Sequence, residues 1–479
     1  MDRQAVVKTD ALARLDHMPW TGFHTAVIAA LGVGWALDSF ETNIIGSIFG
    51  VLKSQWHLTA SQGSLAVSVW VGGMLIGAIG FGYLADRFGR KRLCLATLLW
   101  YAAFSTATVL SWSWDSFLCF RLMAALAVGG EYSAVTAAMG EFIPRKNRGR
   151  TDSLILSGFP IGALLSAVVS YFLLNNLPPA IAWRVGFGLG ALMAVVFVWI
   201  RKVVPESPRW LLQHGRVAEA EAIVDKIAAT AKGRLSAQGQ KRYEPTSFTP
   251  SEPAFFRNIA QLFSKYSAEM SLASATNFSQ AVVVYGTLSL MALVVLPFMK
   301  VPAASMPLYY ALGNGAALLG GLFAAFLVEA WGRRASLFAS YTFTVCAIVG
   351  LYMAQQLPHM VLGYCLIQFG VTWAYITAYV VSAEILPTRV RASGLGISVA
   401  VGRVGAMVTP VLLTNAFMVT GNPSGALLVL LVLAAPGPIA ALLWWLRGRE
   451  TRGVSLEQGS VDPLVGELLH PQPAVVAAG

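Results

Sequence analysis

The sequence predicts an all-α membrane protein whose twelve transmembrane helices form two pseudo-symmetric six-helix halves. Three observations carry this reading. Of the 479 residues, 56% are hydrophobic and only 12% charged, against about 25% charged in a soluble domain. Apolar runs of helix-spanning length, about 20 residues, occur at approximately 24–52, 60–84, 92–112, 115–140, 152–175, 182–202, 272–299, 304–328, 335–356, 359–383, 392–418 and 424–446. The third observation is a repeat. Asp86-Arg87-Phe88-Gly89-Arg90-Lys91 returns as Glu329-Ala330-Trp331-Gly332-Arg333-Arg334, and Glu141-Phe142-Ile143-Pro144 returns as Glu384-Ile385-Leu386-Pro387. Arg148 and Arg391 follow the second motif, and every pair is offset by 243 residues. Two parallel halves with a substrate site between them at midplane depth is a recurrent transporter architecture.

Taken in order, residues 1–20 read as a polar cytoplasmic lead-in and 21–204 as the N-terminal six-helix bundle. Residues 205–270 form a charged inter-half loop, 271–447 the C-terminal bundle, and 448–479 a cytoplasmic tail. Within the loop, Val217–Thr230 has helical spacing of apolar and charged residues, whereas Arg234–Pro253 reads as a flexible linker. The loops after the second, fourth, eighth and tenth spans carry Arg87, Arg90, Lys91 and Arg92; Arg145, Lys146, Arg148 and Arg150; Arg333 and Arg334; and Arg389 and Arg391. The alternate loops hold little beyond Lys53, Arg184 and Lys300. The positive-inside rule therefore places both termini in the cytoplasm of a multi-pass protein of the plasma or inner membrane. The net charge of +11 is a topology signal and calls for no nucleic-acid partner.

The first span contains two acids, Asp38 and Glu41. Each costs about 2.5–3.5 kcal/mol to insert at the bilayer centre. Three residues apart, they share one helical face, which must meet a wet cavity or a basic group. Either they cap or pair structurally, or they form a proton-titrating site. Arg121, in the outer half of the fourth span, lies within about 4 Å of the depth of Glu41 at roughly 1.5 Å rise per residue. Its side chain covers that difference.

Other chemistries find no support in the residues. No HExxH, P-loop or spaced Cys/His cluster is present, so neither an enzyme nor a metal site is expected. Cys94, Cys119, Cys346 and Cys365 lie in apolar runs without redox spacing. No cofactor beyond the proton as coupling ion is expected. The partners are the lipid bilayer and a small-molecule substrate, and a monomer suffices for function.

Gly82-Tyr83-Leu84-Ala85-Asp86-Arg87-Phe88-Gly89-Arg90-Lys91-Arg92 closely resembles the loop motif of the major facilitator superfamily. Pro205-Glu206-Ser207-Pro208-Arg209-Trp210-Leu211 and Glu450-Thr451-Arg452-Gly453-Val454-Ser455-Leu456-Glu457 resemble the elements after the sixth and twelfth helices of its sugar porters and organic-ion transporters. The resemblance covers nearly the whole chain and implies the major facilitator fold. Acid and base clusters at helix ends on one face can pair between helices and open as the halves rock. Asp86, Arg90, Glu141, Arg148, Glu329, Arg333, Glu384 and Arg391 are assigned to such a cytoplasmic gate.

Ser39-Phe40-Glu41-Thr42 is similar to the Gly-Tyr-Asp-Thr stretch of proton-coupled sugar porters, and Phe120-Arg121-Leu122 to their fourth-helix arginine. The resemblance implies that Glu41 and Arg121 form the coupling pair. Asp38-Ser39-Phe40-Glu41 is similar to the Asp-Gly-Phe-Asp pattern of aromatic-acid:proton symporters, which adds Asp38. At the 243-residue offset these positions become Ala281, Val284 and Tyr364, so titratable charge is confined to the first half.

The second half offers Asn277, Gln280, Asn314, Gln368, Trp373, Tyr375 and Tyr379 as substrate contacts. Gln368, Thr372, Tyr375 and Tyr379 share one helical face. Arg403, mid-span in the eleventh helix, calls for an anion: a substrate carboxylate held bidentately, or Asp38 or Glu131 across the seam. The stretches 280–286 and 384–410 resemble organic-ion and aromatic-acid transporters. The expected function is proton-coupled symport of a small organic anion, aromatic or not, with a sugar or polyol:proton symporter as the alternative. Ser157-Gly158-Phe159-Pro160-Ile161-Gly162 is only a fragment of the superfamily's antiporter motif, which favours symport.

Overall fold

A computed structural model describes residues 7–16, 18–88, 90–142, 151, 154–190, 205–206, 208–213, 215–230, 246–248, 261–386, 388–448 and 450. The long apolar runs become helices. The first half holds Gly22–Trp56, Ala60–Phe88, Arg90–Val109, Trp114–Phe142 and Leu154–Asn176, with a sixth helix described over 179–190. The second half holds Ser267–Phe298, Met306–Trp331, Arg333–Met353, Leu357–Ile385, Thr388–Thr420 and Pro423–Arg447. Nine of the described helical stretches are long and apolar enough to cross a membrane. The third, the fourth and the described part of the sixth complete the two-halves layout.

Helix irregularities have local causes. The seventh span widens into a π-turn at Met291–Val295, just before Pro297, where a proline cannot continue the ladder of backbone hydrogen bonds. The eleventh contains Pro410. Within the halves, the second span packs on the fourth, the first on the fifth, the seventh on the eleventh, and the eighth and ninth on the tenth. Gly158 and Gly162 lie against Gly32 and Ala36 of the first span, where a β-carbon would meet backbone. The glycines of the fifth-span motif thus close two helices tightly together. Across the seam, the second span meets the eleventh, the fifth meets the eighth, and the first meets the π-turn of the seventh.

On the face of the basic loops, called the basic face below, the N-terminal segment is folded. Strand β1 (Val7–Thr9) pairs antiparallel with β2 (Thr246–Phe248), with Lys8 opposite Ser247. The short helix Ala11–Asp16 follows β1, and the loop helix spans Val217–Ala229. Ala11 and Leu15 are buried with Val224 and Ile227 and with Val27, Ala30, Leu31 and Trp35 of the first span. Thr9 donates to Glu221 at 3.0 Å and Arg14 pairs with Asp225 at 2.5 Å. Two expectations are corrected here. The stretch 1–20 is more than a polar lead-in, and Arg234–Pro253 is not linker throughout, because Thr246–Phe248 supplies the partner strand that satisfies β1.

Candidate functional site

The first span brings Asp38, Ser39, Glu41 and Thr42 into the interior, all at most 9% exposed. Hydrogen bonds fix this stretch. Ser39 Oγ donates to the Phe159 carbonyl of the fifth span at 2.5 Å, and Asn43 Nδ2 donates to the Ser39 carbonyl at 2.9 Å. Thr42 Oγ1 donates to the Asp38 carbonyl at 2.8 Å and accepts from the Trp70 indole at 3.2 Å.

Glu41 and Arg121 form an ion pair with Nη1 2.5 Å from Oε1, their side chains 1% and 3% exposed. Arg121 Nη2 also donates to the backbone carbonyl of Glu41 at 3.1 Å. The guanidinium lies 3.6 Å from the centre of the Trp70 ring and 4.8 Å from that of Phe187, so aromatic faces shield it on two helices. On the other side of the carboxylate, the Tyr101 and Ser105 hydroxyls of the third span interact with it, and Gly190 of the sixth span leaves the space that Oε2 occupies. The pair therefore lies inside the first half, among its first, second, third, fourth and sixth spans. Trp70, Tyr101, Ser105, Phe187 and Gly190 were missed from sequence. Only the Tyr101–Ser105 spacing, four residues on one face of an apolar helix, signalled a polar partner.

The second half is arranged around cross-helix bonds. Arg403 is 8% exposed and donates from Nη1 to the Met74 carbonyl of the second span at 2.8 Å, across the seam. Asn277 Nδ2 bonds the Ala273 carbonyl at 2.9 Å and Ser398 Oγ at 3.4 Å. Gln368 Oε1 accepts from Thr287 at 3.1 Å, tying the tenth span to the seventh. Asn314 donates to the Ala163 carbonyl of the fifth span at 3.0 Å, again across the seam. Gln280 is half-buried. Tyr375 and Tyr379 pack against the apolar cluster of the first and fifth spans near the basic face.

Trp373 is corrected. Its indole donates to Ser336 at 2.9 Å, and its ring packs with Phe323, Phe343 and Trp331. It belongs to the core of the second half, pointing away from the face shared by Gln368, Tyr375 and Tyr379. The 3.6-residue period explains why, since residue 373 lies about 160° from residue 375.

Among the predicted gate residues, Arg333 Nε lies 3.1 Å from Glu384 Oε2, and its backbone N–H donates to Glu450 at 2.9 Å. Glu450 also accepts from the Arg334 N–H at 3.1 Å. Its carboxylate thus caps the start of the ninth span, where the helix dipole favours an anion. Gly332 makes the approach with φ +85°, and a β-carbon there would meet that carboxylate. Arg148 lies outside the described residues. Asp86, Arg90, Glu141, Glu329 and Arg391 lie on helices, but their side chains, and that of Glu131, lie outside the description.

Two six-helix halves joined by a long loop, with a buried ion pair in the first half and polar side chains along the seam, define a transporter of the major facilitator superfamily. The family described as Sugar (and other) transporter matches residues 19–462, and the chain belongs to it. It is 31% identical to the niacin transporter NiaP of Acinetobacter baylyi over 94% of this chain and 99% of that one. It is 27% identical to organic cation/carnitine transporter 7 of Arabidopsis thaliana, over 81% of this chain and 84% of that one. Its fold is similar to that of the proton:xylose symporter XylE, with a TM-score of 0.69 and 18% identity over 91% of this chain and 98% of that one.

Proposed function

We propose that this transporter is a proton symporter that imports a small organic acid, an aromatic carboxylate of the nicotinate kind, by alternating access. The basic face and both termini are cytoplasmic, the membrane is the plasma or inner membrane, and the monomer is the working unit. The observation that carries the coupling is the enclosed Glu41–Arg121 pair. A carboxylate in water titrates near pH 4.3, and no such group is placed in an apolar bundle without large desolvation cost. Protonation neutralises Glu41 and releases Arg121, whereas the charged pair holds the first half rigid. Asp38, one helical turn away, is the second acid of the same face.

The substrate class follows from charge and body. Arg403 is a fork donor at midplane depth with one arm on a carbonyl of the opposite half, so a carboxylate competes with Met74 for it and in doing so acts on the seam. A cation is disfavoured at the same place. Asn277, Gln280, Gln368, Tyr375 and Tyr379 supply amide and aromatic surfaces for a planar, heteroatom-bearing body. The relative named as a niacin transporter takes a substrate of this description.

Uptake into proteoliposomes with an imposed pH gradient tests the reading. Labelled nicotinate is expected to accumulate, with competition by small carboxylates and none by uncharged polyols. Glu41→Gln is expected to abolish pH-driven accumulation while retaining part of counterflow exchange, with Asp38→Asn as the parallel test of the second acid. Full accumulation by Glu41→Gln removes Glu41 from the mechanism. A charge-assisted hydrogen bond contributes about 1.5–3 kcal/mol, so Arg403→Ala is expected to weaken binding roughly ten-fold or more, and Arg403→Lys less. Competition by sugars or polyols instead of carboxylates replaces the organic-acid reading with the sugar alternative.

A further inference from the structure

The two oxygens of Glu41 are in different surroundings, and that asymmetry assigns the route of the proton. Oε1 is held by Arg121 Nη1 at 2.5 Å. The guanidinium is in turn covered by Trp70 and Phe187. Among the described residues, Oε1 is thus taken up by an arginine that is itself enclosed between two rings. Oε2 faces the other way. It is buried and makes no well-formed hydrogen bond to a described residue, and the same is true of Ser105 Oγ. Tyr101 and Ser105, 4% and 0% exposed, interact with the carboxylate from the third span. The point that a β-carbon of Gly190 would occupy is in collision with Oε2 and only 3.2 Å from the Tyr101 hydroxyl.

Two buried polar oxygens facing one another without made bonds are costly, each by about 1–3 kcal/mol. Such a pair is relieved by a proton or a water placed between them. Among the described residues, the titratable groups around this point are Asp38 on the first span, Tyr101 on the third and Arg121 on the fourth. The second, fifth and sixth spans present Trp70, the Phe159 carbonyl, Phe187 and Gly190, none of which titrates.

We infer that Glu41 is loaded and unloaded with its proton at Oε2, from the side of the third and sixth spans, with Tyr101 and Ser105 positioning that proton and Gly190 keeping the space open. On loading, a proton from the aqueous phase adds to Oε2 to give the neutral acid. Its new O–H donates to a hydroxyl oxygen of Tyr101 or Ser105, and Arg121 keeps only the weaker contact to Oε1. On unloading, the O–H bond breaks, the proton returns to water on the other side of the membrane, and the two hydroxyls donate to the carboxylate. Proton and substrate thus reach the transporter by different doors: the proton inside the first half, the substrate at the seam. This rests on Glu41 being the coupling acid, as proposed above.

The test uses the full chain in proteoliposomes and measures pH-driven uptake of nicotinate, normalised to counterflow, as a function of pH. Tyr101→Phe and Ser105→Ala each remove one hydroxyl while keeping the packing. Each is expected to move the midpoint of the pH profile by about one unit, the equivalent of one hydrogen bond to a charged group. Ser105→Thr, which restores a hydroxyl, is expected to return the parental midpoint, an outcome a merely structural role does not give. Gly190→Ala fills the space beside Oε2 and is expected to lower pH-driven accumulation at least ten-fold relative to counterflow. Parental profiles in Tyr101→Phe, Ser105→Ala and Gly190→Ala together overturn the inference, even where Glu41→Gln abolishes coupling. If Glu41→Gln itself accumulates substrate, the coupling reading fails and this one with it.

Discussion

Glu41 and Arg121 illustrate how a bad residue in a membrane becomes a good one only in company. Neither charge is affordable in an apolar bundle by itself, and together they approach neutrality, with the guanidinium further held between Trp70 and Phe187. Breaking one partner of a buried pair costs roughly 3–5 kcal/mol, whereas replacing both is often neutral. Arg121→Met is therefore expected to lower the melting temperature of the purified protein markedly, and Glu41→Gln added to it to recover most of the loss. A double variant no more stable than Arg121→Met argues that Glu41 gains its stability from elsewhere. The two acids and the arginine were legible as candidates because charge is rare and costly in a twenty-residue apolar run. Trp70, Phe187 and Gly190 were not, because aromatic residues and glycines are common in any span and only the third dimension shows which of them meet at one carboxylate. Trp373 was misplaced for the same reason, as its neighbour Thr372 shares the face of Gln368 while its own ring turns into Phe323 and Phe343.

At the scale of elements, the spans were legible from hydropathy and the loop helix from its period, while the folded N-terminus was not. Strands of three residues carry no periodic signal, and the whole first bundle lies between β1 and β2 in the chain. What holds this strap can be ranked. The Arg14–Asp225 pair has side chains 31% and 62% exposed, and such surface pairs contribute about 0–1 kcal/mol. Leu15 is 2% exposed against Val224 and Ile227, themselves 0% and 2% exposed, and truncating a buried leucine costs about 2–5 kcal/mol. Leu15→Ala is thus expected to release the N-terminal segment, seen as faster hydrogen exchange in residues 7–16 and 217–229, while Arg14→Ala leaves exchange there near the parental rate. The opposite ranking shows that the strap is held by charge.

For the molecule as a whole, the decisive feature is that the halves touch along different seams at different depths. Toward the face opposite the basic loops, Gly46 and Gly50 of the first span lie against Leu288 and Ala303 of the second half. Mid-membrane, Asn314 reaches the Ala163 carbonyl and Arg403 the Met74 carbonyl. Nearer the basic face, Ser157 at the start of the fifth span comes within 3.9 Å of the position a β-carbon on Gly321 would take, and Tyr375 and Tyr379 pack on the first half's cluster. The alternating access proposed above, by rocking of rigid halves, would part these contacts in turn, because side chains packed across a seam cannot stretch by more than fractions of an ångström before contact is lost. The Ser157–Gly321 contact is suited to a direct test, since Ser157 Oγ, whose place a cysteine sulfur takes, lies 3.9 Å from the β-carbon position of Gly321, and neither residue belongs to the ion pair or to the predicted substrate contacts. In the variant Ser157→Cys with Gly321→Cys, oxidation is expected to link the halves near the basic face and to reduce uptake at least ten-fold. Reductant is expected to restore it, and either single cysteine to be insensitive to both treatments. A cross-linked protein that transports at the parental rate would mean that this end of the seam stays closed throughout the cycle and that the halves part elsewhere.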